Sequence, residues 1–258
     1  MARQFIDISV PLETGVASDP PVMLPEIEYL DHKVTAGQIA DFFPGLKPGD
    51  LPGGEGWAVE RLTLSSHNGT HLDAPYHHHS TMDGGKRAIT IDEVPLDWCM
   101  RPGVKLDFTH MPDGHLVTEA EMAEAFEAID LTPNPLDIVL VNTSAGRHYG
   151  DPSYVHRGCG IGRAATLWLL ERGVRVTGTD AWSWDAPFSH TAREWAETHD
   201  PSIIWEGHRA SIDIGYCHLE KLNNLEALPP SGFEVCCFPF KLKGGSAGFT
   251  RAVAIIDT

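Results

Sequence analysis

The clearest evidence for the fold lies in three consecutive stretches: Pro135-Leu-Asp-Ile-Val-Leu-Val-Asn142, Arg163-Ala-Ala-Thr-Leu-Trp-Leu-Leu-Glu-Arg172 and Val174-Arg-Val-Thr-Gly-Thr-Asp180. The first and third are short runs rich in β-branched residues, which predicts buried strands. The second predicts a helix that ends at Gly173, because glycine is favoured just beyond a helix C-terminus. A strand, a helix and a strand in this order imply two parallel strands joined by a crossover, and therefore an α/β fold.

The sequence before this unit predicts one further helix and two further strands. Thr118 and Glu121 have the spacing of a capping box, which predicts the start of a helix that runs to Ile129. Residues 5–12 and 57–66 alternate between apolar and polar side chains, which is typical of strands. The second of these strands leads directly into a cluster of histidines.

The sequence after the unit predicts two strands, Phe233–Lys243 and Phe249–Asp257, joined by a glycine-rich turn. The turn, Gly244-Gly-Ser-Ala-Gly248, also matches the G-x-S-x-G pattern of serine hydrolases. That pattern requires a helix after the serine and a later histidine, whereas a strand follows here and no histidine lies beyond His218. We find no repeat and no linker, so residues 1–258 are predicted to form a single domain.

The segment from Gly15 to Gly56 is rich in proline and glycine and holds only short apolar pieces. This composition predicts a long excursion over the surface. Loops of this length usually have a function, so we expect a lid or a contact between subunits.

The charge balance of the chain excludes several classes of partner. Its 258 residues include 19 lysines and arginines against 36 aspartates and glutamates, which gives a net charge of −17. Such a chain repels nucleic-acid phosphates and anionic membrane surfaces, so we expect neither nucleic acid nor a membrane as a partner. The five cysteines are an odd number without a C-x-x-C pair, which argues against a disulfide framework. With no apolar run long enough to span a membrane and no apolar leader, these features predict a cytoplasmic protein.

Five of the fourteen histidines lie in one stretch, Ser66-His67-Asn-Gly-Thr-His71-Leu-Asp73-Ala-Pro-Tyr-His77-His78-His79. His67 and His71 are spaced as in the H-E-x-x-H motif of metalloproteases. The residue after His67 is asparagine, however, and the nearby glycine, threonine and proline are poor helix formers. We therefore place the pair on extended or looped chain. For His78 and His79 we predict surface positions without a function.

A straight strand would hold the metal-binding side chains of this stretch too far apart. Six extended residues separate His67 from Asp73 by about 20 Å, whereas metal–ligand bonds are about 2 Å long. The chain must therefore turn, and Gly69 and Pro75 are the predicted turning points. The turn lets His67, His71 and Asp73 converge as metal ligands. Nitrogen and oxygen donors without a thiolate favour Zn²⁺ or Mn²⁺.

The histidine stretch also matches a longer signature, H-x-G-T-H-x-D-x-P-x-H, at every fixed position. Three further features accompany it: Asp7-Ile-Ser-Val-Pro-Leu12, the unit Leu170–Asp180, and a late His208 followed twelve residues later by Glu220. With these features the chain resembles the metal-dependent cyclase family, which includes bacterial kynurenine formamidases and isatin hydrolases. The resemblance implies an α/β domain with a mixed, β-barrel-like core and flanking helices. It also implies at least a homodimer, in which loops of one subunit line the pocket of the other.

The resemblance further implies roles for individual residues. A site for one or two divalent ions would be formed by His67, His71, Asp73, His208 and Glu220. The last histidine of the signature, His77, would act as general acid/base. Isatin hydrolases can carry an amide in place of the late glutamate, so Glu220 favours a formamidase-like site. Together these residues indicate a metal-dependent hydrolase that activates water for attack on an amide or ester bond.

Two departures from the family leave the substrate open. The chain is longer than the formamidases, with added residues at 15–56, and His78 stands where phenylalanine is common. An aromatic stretch contains Trp182, Trp184 and Phe188, which are predicted to line the pocket, with core positions as the alternative. We expect a small aromatic or cyclic amide as substrate. An arylformamidase that acts on N-formylkynurenine is the alternative, and a non-catalytic metal-binding protein is the alternative of another class.

Overall fold

A curled sheet, shaped as half a barrel, forms the centre of the protein in a computed structural model that describes residues 2–257. In chain order the described strands are β1 (Arg3–Asp7), β2 (Glu26–Leu30), β3 (Val59–Thr63), β4 (His71–Asp73), β5 (Thr81–Met82), β6 (Lys86–Arg87), β7 (Met100–Asp107), β8 (Leu116–Val117), β9 (Ile138–Asn142), β10 (Gly160–Ile161), β11 (Val176–Thr179), β12 (Cys217–Glu220), β13 (Phe233–Cys236), β14 (Ala247–Phe249) and β15 (Val253–Asp257). The described α-helices are α1 (His32–Asp41), α2 (Pro75–His78), α3 (Glu119–Ala128), α4 (Arg163–Glu171), α5 (Phe188–Thr198) and α6 (Glu206–Arg209).

The central sheet is mixed. Its strands follow the order β1, β15, β13, β7, β9, β11, β12, β4, β14. The four middle strands, β7, β9, β11 and β12, run parallel to one another, and the outer strands pair antiparallel. The predicted α/β class, with a mixed, barrel-like core and flanking helices, is confirmed.

The predicted crossover is formed by β9, α4 and β11. The two strands pair in parallel, and Gly173 follows the helix with a φ of 90°, which glycine tolerates best. Alternate residues of β9 contribute to two cores. Ile138 and Leu140 pack in one apolar cluster, whereas Val139 and Val141 pack in the other, which also contains residues of α3 and α4. Burial on both faces explains why this strand is apolar throughout.

The capping box predicts helix α3 correctly. The Thr118 hydroxyl accepts a hydrogen bond from the Glu121 amide at 3.3 Å, and the Glu121 carboxylate accepts one from the Thr118 amide at 2.8 Å. Met122 and Phe126 are buried on the face that meets the sheet. The helix therefore begins where its first unpaired amides find side-chain partners.

The segment at 15–56 contains more regular structure than the predicted excursion. β2 pairs antiparallel with β3, and α1 follows β2 and precedes the return of the chain to β3. Asp31 begins the helix by accepting hydrogen bonds from the amides of Lys33 and Val34 at 3.0 and 2.9 Å. We call residues 26–63 the arm. Its weak apolar pattern reflects its exposure rather than a lack of structure.

The C-terminal hairpin also differs from the prediction. β13 ends at Cys236 and pairs with β15, but the chain between them is more than a turn. Ala247–Phe249 forms β14, which pairs with β4, so the glycine-rich segment belongs to the edge of the sheet beside the histidine cluster. Within residues 2–257, no helix is both long and apolar enough to cross a membrane.

Candidate metal centre

Two neighbouring strands, β4 and β12, carry polar side chains on one face. Side chains alternate along a strand, so His71 and Asp73 of β4 point to the same side, as do His218 and Glu220 of β12. The strands pair antiparallel, with His218 opposite Asp73 and Glu220 opposite His71. The leucine at the middle of each pair is fully buried in the apolar core. Strand pairing therefore collects two imidazoles and two carboxylates at one place.

A turn before β4 adds His67 to this group. Gly69 has a φ of 59°, and a Cβ atom there would lie 2.9 Å from Leu12 Cδ2, so glycine is required. His67 Nδ1 lies 2.8 Å from Asp73 Oδ1, and His71 Nε2 lies 3.4 Å from the same oxygen. His71 Nδ1 is 2.9 Å from the Gly69 carbonyl oxygen, to which it donates, and this leaves Nε2 free for a metal.

Helix α6 supplies His208 from another part of the chain. Its Nδ1 is hydrogen-bonded to Asp185, whose carboxylate also accepts from the amides of Gly207 and His208 at 2.8 and 3.1 Å. Nε2 then faces the centre, 3.6 Å from Glu220 Oε1. A carboxylate behind a histidine in this way is the arrangement that orients metal-binding imidazoles.

The short helix α2 positions His77. Pro75 begins this helix, so the second predicted turning point is where the chain leaves β4. His77 Nε2 lies 3.9 Å from Asp73 Oδ2, and its ring centroid lies 4.0 Å from that of His67. The side chain therefore stands beside the cluster without a hydrogen bond to it.

Buried polar atoms show that the cluster fits a cation. Within residues 2–257, both carboxylate oxygens of Asp73 and both ring nitrogens of His218 are buried and make no hydrogen bond. Leaving such groups uncompensated is strongly unfavourable. Two groups of donor atoms, each within 4.8 Å of one another, meet here: His67, Asp73 and His77, and Asp73, His208, His218 and Glu220. Imidazole nitrogens and carboxylate oxygens are the donors that a divalent first-row metal requires.

The electrostatics favour ionised carboxylates at this centre. Burial opposes the charge on Asp73, but the surrounding histidines hold the pKa of its carboxyl well below the ordinary value. Burial likewise opposes the charge on Glu220, whose pKa is nevertheless lowered, chiefly by His218. Burial holds the pKa of His208 well below its usual range, so this ring is neutral at pH 7. Burial also disfavours charge on His218, yet the two carboxylates raise its pKa to about 9. A divalent cation would balance the two buried negative charges.

A cavity of about 220 Å³ opens beside the cluster. At one end it is lined by His67, His77, His208 and Glu220. Its walls are lined by aromatic side chains, Trp182, Phe188 and Trp205. The arrangement places polar, metal-binding groups at the end of an otherwise apolar pocket.

A buried ion pair closes one side of the cavity. Lys221, the residue after Glu220, pairs with Asp19, and both side chains are almost fully buried. The Lys221 ammonium also donates to the His67 carbonyl oxygen at 2.8 Å, and Asp19 accepts from Trp182 Nε1 at 3.0 Å. The N-terminal segment is thereby attached to the cluster and contributes Asp19 to the cavity wall.

The structure brings together the residues selected from sequence at this centre: His67, His71, Asp73, His77, His208 and Glu220. Of the aromatic candidates, Trp182 and Phe188 line the cavity. The prediction for Trp184 is wrong, because its side chain is fully buried in the core, where Nε1 donates to Thr166 Oγ1 at 3.0 Å.

Two further histidines, His78 and His218, differ from what the sequence predicts. His78, predicted at the surface, is only 4% exposed, and its ring stacks on that of His218 at a centroid distance of 4.8 Å. His79 is exposed as predicted. His218 lies within the cluster and is not among the residues predicted from the sequence. Its spacing of two residues from Glu220, which places both on one face of a strand, is the signal that could have identified it.

The chain belongs to the Cyclase family. The model of that family, described as "Putative cyclase", matches residues 6–186, which is well over half of the chain. The match includes the turn, β4 and α2, whereas His208, His218 and Glu220 lie beyond it.

Relatives of the chain are named as hydrolases. The kynurenine formamidase of Salinibacter ruber (strain DSM 13855 / M31) is 28% identical over 202 residues, which cover 74% of this chain and 77% of that protein. Isatin hydrolase A from Labrenzia aggregata, solved bound to benzyl benzoate, matches the structure with a TM-score of 0.75 at 21% identity. The match covers 99% of this chain and 94% of that chain. A potential metal-dependent hydrolase with cyclase activity has a TM-score of 0.68 at 19% identity over 100% of both chains. The structural matches show a shared fold.

Proposed function

We propose that this protein is a metal-dependent hydrolase that cleaves an amide or ester bond in a compact aromatic or cyclic substrate. The observation that carries the proposal is the convergence of two buried carboxylates and several imidazoles at the end of an aromatic cavity. A divalent metal held there would lower the pKa of a water molecule and polarise a carbonyl group. The relatives named kynurenine formamidase and isatin hydrolase support this class of reaction.

We assign proton transfer to His77. Its side chain lines the cavity, and its Nε2 lies farther from Asp73 than does the nitrogen of His67, at 3.9 Å against 2.8 Å. Burial lowers the pKa of His77, so the imidazole is neutral at pH 7 and can accept a proton. It can then return this proton to the leaving nitrogen or oxygen of the substrate.

The dimensions of the cavity favour a compact substrate. Pockets for drug-sized ligands measure about 300–1,000 Å³, whereas this cavity measures about 220 Å³. The walls formed by Trp182, Phe188 and Trp205 favour a planar ring. Asp19 and Met23 of the N-terminal segment occupy one side of the cavity. We therefore favour a cyclic or compact aryl amide over a substrate with a flexible amino-acid tail.

N-formylkynurenine is the second candidate substrate. It is favoured by the 28% identity to a protein named kynurenine formamidase. It is disfavoured by the small cavity, which leaves little room for its flexible amino-acid tail. A non-catalytic metal-binding protein is the candidate of another class, and the position of His77 in the cavity argues against it.

The cysteines support a reducing compartment for this reaction. All five are free in the described part of the chain. Burial raises the pKa of Cys99 to about 11 and that of Cys159 to about 12, so these thiols stay protonated and unreactive at neutral pH. We therefore propose that the enzyme acts in the cytoplasm.

Parallel assays test the proposed function. Protein loaded with Mn²⁺ or Zn²⁺ is offered N-formylkynurenine, isatin, and a panel of lactams, aryl amides and aryl esters. We expect a higher kcat/KM for a cyclic or compact aryl substrate than for N-formylkynurenine, with activity that is lost to a chelator and restored by metal. A clear preference for N-formylkynurenine would establish the second candidate. Metal-loaded protein that hydrolyses no member of the panel would favour the non-catalytic alternative.

A further inference from the structure

We infer that His218 is a metal ligand, and that the centre therefore consists of two unequal metal sites. One is a four-ligand set of Asp73, His208, His218 and Glu220, and the other is a three-ligand set of His67, His71 and Asp73. The inference rests on the metal requirement of the proposed function. It goes beyond that proposal by assigning a new ligand and a different character to each site.

The distances around His218 are those of ligands that share one ion. At metal–ligand bonds of about 2.0–2.1 Å, two ligands of a tetrahedral ion lie about 3.3 Å apart. His218 Nε2 lies 3.1 Å from Asp73 Oδ2 and 3.3 Å from Glu220 Oε1. The same Glu220 oxygen lies 3.6 Å from His208 Nε2. Three of the distances among the four donor atoms are therefore close to the spacing of ligands on one ion, and all four atoms lie within 4.8 Å of one another.

Hydrogen bonding alone does not account for this arrangement. His218 Nε2 lies within ion-pair distance of both carboxylates, but within residues 2–257 neither of its ring nitrogens and neither oxygen of Asp73 has a partner with full hydrogen-bond geometry. The ring is held instead by packing between two others. The ring of His78 stacks on that of His218 with a centroid distance of 4.8 Å and an interplanar angle of 11°. The ring of Trp184 stacks with a centroid distance of 6.1 Å and an interplanar angle of 19°. This stack fixes the direction of Nε2, as Asp185 does for His208.

The three-ligand set is defined by the other oxygen of Asp73. Asp73 Oδ1 lies 2.8 Å from His67 Nδ1 and 3.4 Å from His71 Nε2, and these two nitrogens lie 3.3 Å apart. His67 lines the cavity, as do His208 and Glu220 of the four-ligand set, whereas His218 is fully buried behind them. Four protein ligands close a zinc site, and three leave a position open for water or substrate. The four-ligand site is therefore the structural one, and the three-ligand site is the one available to the substrate.

Metal stoichiometry in His218 variants tests the inference. Protein stripped of metal is dialysed against Zn²⁺ at a series of free concentrations, and bound zinc is measured by elemental analysis for wild type, His218→Ala and His218→Gln. Glutamine keeps a hydrogen-bond donor but lacks the imidazole lone pair. Loss of an outer partner of a ligand weakens metal binding by about 10–100-fold, so loss of a ligand should weaken one of two equivalents by more than about 100-fold. The control is His78→Phe, which keeps a stacking ring and should retain both equivalents.

Wild-type protein provides a second measurement in case the variants do not fold. In ¹¹³Cd-loaded protein labelled with ¹⁵N-histidine, we expect four imidazole nitrogens coupled to cadmium, and three in His218→Gln. The inference is overturned if only three couple in the wild type, or if both variants hold two equivalents with less than a 100-fold loss. These outcomes are distinct from failure of the proposed function, in which the loaded protein hydrolyses no substrate whatever its stoichiometry.

Discussion

Asp73 connects the two groups of histidines through its two carboxylate oxygens. Oδ1 lies 2.8 Å from His67, and Oδ2 lies 3.1 Å from His218. An amide at this position offers one acceptor oxygen and no charge, so Asp73→Asn should remove all bound metal and abolish activity. Elemental analysis of the purified variant checks this. The exposed Asp97→Asn is the control, and Asp73→Asn protein that retained its full metal content would contradict the assignment.

His77 separates catalysis from metal binding. We expect His77→Ala to keep its metal and to lose kcat by about 10²–10⁴, which is the usual contribution of a general acid/base. Metal content and steady-state rates of the same preparation check the two expectations together.

A nearby histidine provides the control for this variant. His79 lies two residues away and is exposed, so His79→Ala should leave both metal content and rate unchanged. Loss of metal from His77→Ala would contradict the general acid/base role and make His77 a ligand.

Local spacing explains which functional residues could be predicted from the sequence. His67, His71, Asp73 and His77 lie close together in the chain, so the need for a turn was enough to bring them together. His218 reaches Asp73 only through the pairing of β4 with β12. That contact spans 145 residues, and its one local sign is the spacing of two residues between His218 and Glu220.

The error for His78 has a related cause. Consecutive residues of a helix point in directions about 100° apart. On the short helix α2, His77 faces the cavity, whereas His78 packs between His218 and Tyr216. A run of three histidines does not show which of them turns inward.

A buried ion pair helps to attach the N-terminal segment to the metal centre. Lys221 holds Asp19, and this carboxylate also accepts hydrogen bonds from Trp182 and Asn68. We expect Lys221→Met to lower the free energy of unfolding by about 3–5 kcal/mol, because it leaves a buried carboxylate without its cation. Urea denaturation measures the loss, and a higher KM would show that the cavity wall has moved.

The double variant tests the cause of that loss. Asp19→Asn in the Lys221→Met background removes the uncompensated charge and should restore part of the stability. If Asp19 and Lys221 did not interact, the effects of the two substitutions on the free energy of unfolding would simply add.

Elements with strong local signals were the ones that the sequence predicted. α3 has a capping box, and β9, α4 and β11 have apolar runs closed by glycine. The arm has neither, since β2 is exposed along most of its length and α1 buries only the small residues Thr35, Ala36 and Ala40. β14 has only three residues and is defined by its pairing with β4. Such elements form through contacts distant in sequence, which spacing does not reveal.

The stability of the protein should depend on metal. A ligand that binds only the folded state at about 100 times its Kd adds about 2.7 kcal/mol to the free energy of unfolding. Because the donors come from β4, β12 and α6, the unfolded chain has no equivalent site. We expect a chelator to lower Tm and re-added Zn²⁺ or Mn²⁺ to restore it. Calorimetry checks this, and an unchanged Tm would contradict a metal site built by the fold.

The arm carries a group of exposed apolar side chains. Tyr29 and Leu62 lie on one face of the β2–β3 hairpin and are 66% and 55% exposed, and Phe42, at the end of α1, is 70% exposed. Exposed apolar residues in such a group mark interaction surfaces. Because the family resemblance implies at least a dimer, we propose that a second copy covers this face.

Light scattering tests the association. We expect wild-type protein to elute as a dimer or larger, and Tyr29→Glu/Leu62→Glu to shift it towards monomer while the fold is retained. Wild-type protein that is monomeric at high concentration would contradict the proposal.

The alternation of β4 and β12 has a consequence for how the chain assembles. His71 and Asp73 face the metal centre while Leu72 faces the core, and His218, Leu219 and Glu220 repeat the arrangement. If either strand slipped by one residue, its charged side chains would point into the core and its leucine into the centre. A chain in the wrong register therefore cannot present a complete set of donors. Metal uptake thus distinguishes correctly assembled molecules from slipped ones, and an incorrectly folded fraction should be found as metal-poor, inactive protein.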